Sequence, residues 1–359
     1  MKMNNISDLS NQSYTAIFEK KNNLDKIIKI VLLSVTLLCS SVIIIVTVFI
    51  LFKGVLPFVK DYTENGETGK ASLSYFLTGL RFNNGYDADL GKYLYGVFYL
   101  VVNTLSLNLV AAFISVPTAI LTALFISHVA PKFLARIIQS GVDLLAAIPS
   151  VIYGVFGVGV IVPLIKSLAR NVFGNSSSSG ISLLSGAIIL ALMSMPTMIS
   201  VAVTALKAVD ENLIKGSLAL GASKAETNFK ICLRSAKSGI FAGIILGLGR
   251  ALGEATAISM VCGSPTYGIT TGLFDPTVTL TSQMLLSLGE CIPDSLNYDI
   301  RFSAGIALMV IIIVTNLVLN DIKDYVSDTE SKPLMITRAY LLIRQQSSKL
   351  KARIKNYVR

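Results

Sequence analysis

Two side chains of opposite charge, Arg250 and Glu254, stand four residues apart inside the apolar stretch LGLGRALGEATAISM. At that spacing on a helix they share a face and can pair. Inside a bilayer each charge costs ~3 kcal/mol, so the pair must serve a purpose. It either pins the packing of a helix, meets a neighbouring subunit, or lines a passage. A guanidinium matches the oxygen geometry of phosphate or sulfate, and a carboxylate beside it would keep the hold weak enough for conduction. Arg250 and Glu254 are therefore expected to line the path of an oxyanion.

A second stretch, IPSVIYG, places Ser150 and Tyr153 just after Pro149. Both hydroxyls can donate to an anion, although a kinked packing helix is the expected main role, because a proline within a span frees a backbone carbonyl. Asp143 is expected to pair with Arg136 near an interface, and Asn103, Thr104 and Asn316 to bond between helices. Other chemistries are short of residues. The chain has one histidine, His128, and four cysteines without metal-ligand spacing. Histidine-based zinc sites and Ser-His triads are thus excluded in practice, and no metal or cofactor is expected. No G-x-x-x-x-G-K-[ST] loop is present. The chain is not expected to be an enzyme, and any ATP hydrolysis must come from another subunit.

The elements that position these residues are membrane helices. Of 359 residues, 53% are hydrophobic and 14% charged, against about a quarter charged in soluble domains. Six apolar runs of roughly the 20 residues a span needs lie at 30–52, 93–127, 137–165, 181–206, 238–262 and 302–320. Placing both ends in the cytoplasm puts 22 of the 31 Lys and Arg residues inside and eight outside, with Arg250 buried. The positive-inside bias supports that orientation. The net charge of +10 then belongs to a surface facing anionic lipid, not to a nucleic-acid groove. The first run is too long for a signal-peptide core and is expected to remain as an anchor. Counting 1.5 Å per residue from Lys237, Arg250 sits about 20 Å into the membrane, and Gly247, Gly249, Gly253 and Ala257 let another helix approach.

Between the spans, residues 1–29 form a polar segment expected to be weakly ordered. Residues 53–92 form an outer segment in which Leu73 to Gly79 suits a short interfacial element. The outer loop near 263–301 holds a short helix over 277–288. The basic tail 321–359 places Leu350, Ile354 and Tyr357 on one helical face. Residues 207–237 are too long and too helix-forming for a simple connector and make a candidate docking surface.

That inner loop, KGSLALGASKAETNFKICLRSA, resembles the loop by which permeases of binding-protein-dependent ABC importers contact their ATPases. The family pattern is Glu-Ala-Ala, three residues, Gly, nine residues, then Ile-x-Leu-Pro. Gly221 takes the glycine position, followed by Ala222, and Ile231 and Leu233 keep the spacing. Lys215, Gly216 and Arg234 depart from the glutamate, first alanine and proline, and Ser217 follows Gly216. The stretches 143–164, 246–265 and 273–290 resemble the C-type permease of the phosphate importer, the PstC type, and the likeness extends over about 70–320.

The resemblance implies an all-α integral membrane protein with six transmembrane helices and a type I, MetI-like importer permease core at 93–320. It implies a multi-pass protein of the bacterial plasma membrane, working by alternating access with a second, A-type permease. Two ATPase subunits would dock on the 207–237 loop, and an extracytoplasmic phosphate-binding protein would deliver phosphate. Rival cargoes are sulfate, molybdate and tungstate. A carrier working alone with ion coupling is a further rival, as is a membrane enzyme.

Overall fold

The computed structural model describes residues 4–64, 66–174, 178–265, 268–286 and 288–327. The basic tail beyond 327, with its amphipathic pattern, lies outside the described residues. Helix α1 runs unbroken from Asn4 to Val59. The polar segment expected to be weakly ordered is thus helical, in keeping with the lack of any Gly or Pro before Gly54.

Beyond α1 the segment expected to lie outside the membrane folds into something the composition did not announce, a four-stranded sheet. Its strands are β1 (Tyr62–Glu64), β2 (Glu67–Ala71), β3 (Phe82–Asp87) and β4 (Lys92–Tyr95), in the order β1-β2-β4-β3. The β2–β4 pair is parallel and the other two are antiparallel. Short helix α2 (Leu73–Thr78), capped by Ser72, lies between β2 and β3, where an interfacial element was expected. Tyr93, Tyr95 and Phe76 turn inward to a core shared with Tyr99 and Leu100.

The bundle proper begins with α3 (Phe98–Leu124), prolonged by a π turn to Val129. Helix α4 (Lys132–Ala147) follows, and then a break at Ile148–Pro149. The run expected to cross at 137–165 is therefore split: the crossing helix is 150–171, comprising α5 (Ser150–Phe156), a π turn, and α6 (Val162–Asn171). Pro149 has no N–H and disfavours helical backbone at Ile148, which sits at ψ 127. Helix α7 (Leu183–Lys207) is the most enclosed span and packs against α3 and α11 (Lys237–Leu252). A Cβ on Gly239 would meet Ala205 at 2.4 Å, and one on Gly247 would meet Met198 at 2.5 Å. This glycine stripe seats α11 against α7, because small residues are what bring membrane helices together.

The last helix, α14 (Leu296–Ser327), returns beside α1. Among the described residues five helices are long and apolar enough to cross a membrane, or six if the bent pair Lys224–Ser235 and Lys237–Leu252 makes one span. The sixth run holds α11, whose 16 residues span only about 24 Å before the chain breaks.

A polar clamp joins the first and last helices. Asp299 is fully buried and accepts a hydrogen bond from Tyr62 Oη at 2.6 Å. The Lys53 ammonium lies 3.5 Å from its other oxygen and also bonds Asp294. Ser303 Oγ donates to the Gly54 carbonyl at 2.6 Å. Arg301, expected in an outer loop, lies instead within α14 and is 6% exposed. Its guanidinium donates to the carbonyls of Gln283 and Leu286, at the end of α13 (Leu280–Leu285). A cation is favoured at a helix C-terminus. Helix α13 itself is the core of the short helix expected over 277–288, with Thr279 as its cap.

Candidate functional site

Arg250 and Glu254 do not share a helix face. Helix α11 ends at Leu252, Gly253 closes it, and α12 (Thr256–Val261) starts afresh. The residues between are fixed by local bonds: Gly253 N–H donates to the Arg250 carbonyl and Glu254 N–H to the Ala251 carbonyl, each at 3.2 Å. The Glu254 carboxylate then accepts from Ala257 N–H at 3.1 Å, in the first turn of α12. Thr281 Oγ1 donates to the Glu254 carbonyl at 2.7 Å and ties the break to α13. The expected ion pair is absent among the described residues, because Glu254 serves the new helix start, where a carboxylate is favoured.

Arg250 stands in the last turn of α11 and is exposed on the surface of the chain. It forms no ion pair among the described residues. An exposed guanidinium within an apolar run would be costly against lipid. Beside the break lies a largely apolar cavity of about 320 Å³, lined by Gly253, Ala255, Thr281, Met284 and Arg301 among others.

Tyr153 lies within electrostatic reach of Arg250, so the structure brings together two of the residues singled out in the sequence. Its hydroxyl, however, donates to the Leu145 carbonyl at 2.9 Å. Leu145 is the acceptor that a helical N–H at position 149 would have used. Tyr153 thus repairs the defect left by Pro149 and has no proton left to offer an anion. Ser150 is half-buried in the first turn of α5, with no side-chain partner among the described residues. Gly154 and Gly157 bring this segment against α12: a Cβ on Gly154 would meet Met260 Sδ at 2.6 Å, and one on Gly157 would meet Val261 Cγ1 at 2.5 Å.

Two other polar residues of the spans are structural. Asn103 accepts from Thr270 N–H at 2.9 Å and Thr104 from Leu280 N–H at 3.0 Å, fastening the chain after α12 to α3. Asn316 Oδ1 is buried without a hydrogen-bond partner. Asp143 accepts from Gln139 at 3.0 Å, not from Arg136, since Gln139 lies one helical turn away on the same face.

At the other end of α7 the 207–237 loop folds into a helical hairpin. Asp210 caps α8 (Glu211–Ala219) by accepting from Asn212 N–H, and Gly221 reverses the chain at φ +86°, a conformation glycine adopts without strain. Ser223 and Glu226 form a capping box at α9 (Lys224–Glu226). A π turn over Thr227–Cys232 and α10 (Leu233–Ser235) complete the hairpin. Ser217 and Thr227 hydroxyls meet at 3.0 Å and pin its two arms. No residue of α8 is buried, and Leu220 is 91% exposed, with Leu213 and Leu218 also outward. Lys215 bonds Glu211 at 2.7 Å, which holds the Glu211 carboxyl below its ordinary range. Ala222 and Ile231 are half-buried, as is Leu233, while Gly216 is exposed.

A bundle of apolar spans, one broken at a charged residue, carrying an uncovered helical hairpin on one end, is the architecture of a multi-pass membrane transport subunit. The model of the binding-protein-dependent transport system inner membrane component matches residues 115–329, and the chain belongs to that family. It is a permease subunit of an ABC importer rather than an enzyme. A probable ABC transporter permease protein of Bacillus subtilis strain 168, YqgH, is 33% identical over 265 residues, covering 74% of this chain and 80% of the relative. The phosphate transport system permease protein PstC 2 of Mycobacterium tuberculosis is 32% identical over 259 residues, or 69% and 79% of the two chains. In fold, 64% of the chain matches 80% of a chain from a bacterial ABC transporter involved in alginate import, with a TM-score of 0.50 and 20% identity.

Proposed function

We propose that this chain is the C-type permease of an ATP-driven phosphate importer. It forms the passage with a second, A-type permease by alternating access. The observation that carries this reading is Arg250, exposed and without an ion-pair partner among the described residues, at the break of an apolar run. Released from Glu254, it is a free cation for a passing oxyanion. The likeness to phosphate permeases supports phosphate as that anion. Ser150, half-buried on the neighbouring segment, remains a candidate donor.

The uncovered α8 hairpin is where the ATPase subunits dock. Lys215 pairs with Glu211 within α8, so the departure from the family glutamate replaces a negative charge there by a locally balanced pair. Both termini are cytoplasmic, and a phosphate-binding protein docks on the sheet-bearing outer face. Residues 93–320 form the permease core.

The test is labelled-phosphate uptake by the assembled transporter, wild type against Arg250→Gln, with excess sulfate or molybdate as competitor and assembly verified by co-purification. An assembled variant slowed tenfold or more places Arg250 on the path. Unchanged uptake overturns that role, and abolition of wild-type uptake by sulfate or molybdate overturns phosphate as the cargo.

A further inference from the structure

At the end of the bundle that carries the 207–237 hairpin, three cations line one cavity of about 430 Å³. Lys132 and Arg136 stand one turn apart on α4, and Lys207 comes from the last turn of α7. Ser127 and Gln139 complete the polar part of the wall. None of the three cations makes an ion pair among the described residues. The acids nearby are engaged: Asp143 accepts from Gln139, and Asp210 caps α8. The N-terminus of α4 opens beside them after Pro131, without a side-chain cap, so its N–H groups add to the positive potential.

A further observation says what would fill this cavity. On the same helix Phe133 is 74% exposed and Ile137 52%. Cations adjoining bare apolar side chains are the pattern of a membrane interface at headgroup depth.

We infer that this cavity is a binding site for a phosphate group, whose oxygens the three cations hold. Two sources carry that chemistry: a glycerol-headed anionic lipid, and hydrogen phosphate itself. The inference does not rest on which anion the transporter carries.

The test uses the whole assembled transporter, purified in detergent and stripped of lipid. Native mass spectrometry follows binding of added phosphatidylglycerol, with phosphatidylcholine as the neutral control. Equilibrium dialysis follows radiolabelled inorganic phosphate. Wild type is compared with Lys132→Gln/Arg136→Gln/Lys207→Gln and with Lys26→Gln/Lys29→Gln/Lys323→Gln, which removes as many charges from the same end. The single variant Arg136→Gln covers the case of a triple variant that fails to assemble. The expected result is at least tenfold weaker binding of one phosphate probe in the cavity triple, several-fold weaker in Arg136→Gln, and none lost in the control. Loss confined to phosphatidylglycerol identifies the lipid as the source, and loss confined to inorganic phosphate identifies the free anion. Equal binding by wild type and cavity variant, or equal loss in the control triple, overturns the site.

Discussion

The Tyr153 hydroxyl donates to the Leu145 carbonyl at 2.9 Å across the break that Pro149 makes in the third apolar run. The phenol therefore replaces a missing backbone donor, and its purpose is structural. Tyr153→Phe leaves that carbonyl with only the 3.3 Å bond from the Ile148 N–H and is expected to lower stability by about 1 kcal/mol. Thermal unfolding of the assembled transporter reads the loss. Uptake selectivity among oxyanions should stay within twofold of wild type, and a change of selectivity would return Tyr153 to the passage.

The clamp between α1 and α14 predicts an asymmetry between two carboxylates. Asp299 is buried, whereas the Asp294 side chain is 70% exposed, and Lys53 contacts both. Lys53→Met strands a buried charge and is expected to cost about 3 kcal/mol, seen as a fall in melting temperature. Adding Asp299→Asn should recover part of it. Asp294→Asn alone should change little, as exposed pairs contribute little.

Gly221 turns the 207–237 hairpin at φ +86°, and a Cβ there would meet no neighbouring atom within 4 Å. Gly221→Val is thus a test of backbone strain alone, at about 1–2 kcal/mol. In the proposed assembly the ATPase subunits should co-purify with this variant several-fold less well, while the bundle keeps its melting temperature. Gly216→Ala, on an open face of α8, should co-purify as wild type does.

The same hairpin carries a pH dependence of known sign. The Ser223 backbone N–H, and after it the Lys230 ammonium, hold the Glu226 carboxyl below its ordinary value of 4.5. A group lowered on folding stabilises above its unfolded value and loses that contribution as pH falls through its folded value. Hydrogen exchange over 211–232, corrected for intrinsic rates, should be flat from pH 7 to 5 and rise below about 4. A rise already at pH 6 would mean that another group controls the turn.

Much of this organisation is legible in the chain. Apolar runs bounded by charges announce the spans, and the spacing of Gly221, Ile231 and Leu233 announces the hairpin. What the sequence hides depends on distant partners. Tyr62 and Asp299 are 237 residues apart, and nothing local distinguishes Asp299 from a solvated acid. The outer sheet escapes because its strands have three to six residues each, too few to show alternation. The pairing of Arg250 with Glu254 fails for a subtler reason. Hydrophobic periodicity runs straight through Gly253, so only the capping bond from Ala257 to Glu254 reveals that one helix has stopped and another has begun.

The Lys53–Asp299–Tyr62 clamp also orders events in time. Lys53 and Tyr62 leave the ribosome early, whereas Asp299 emerges only after every other span has been made. Until then the ammonium near the Val59 end of α1 has no buried counter-charge. A nascent chain truncated before α14 therefore carries an open latch, and closing it requires the first turn of α14 to have been made.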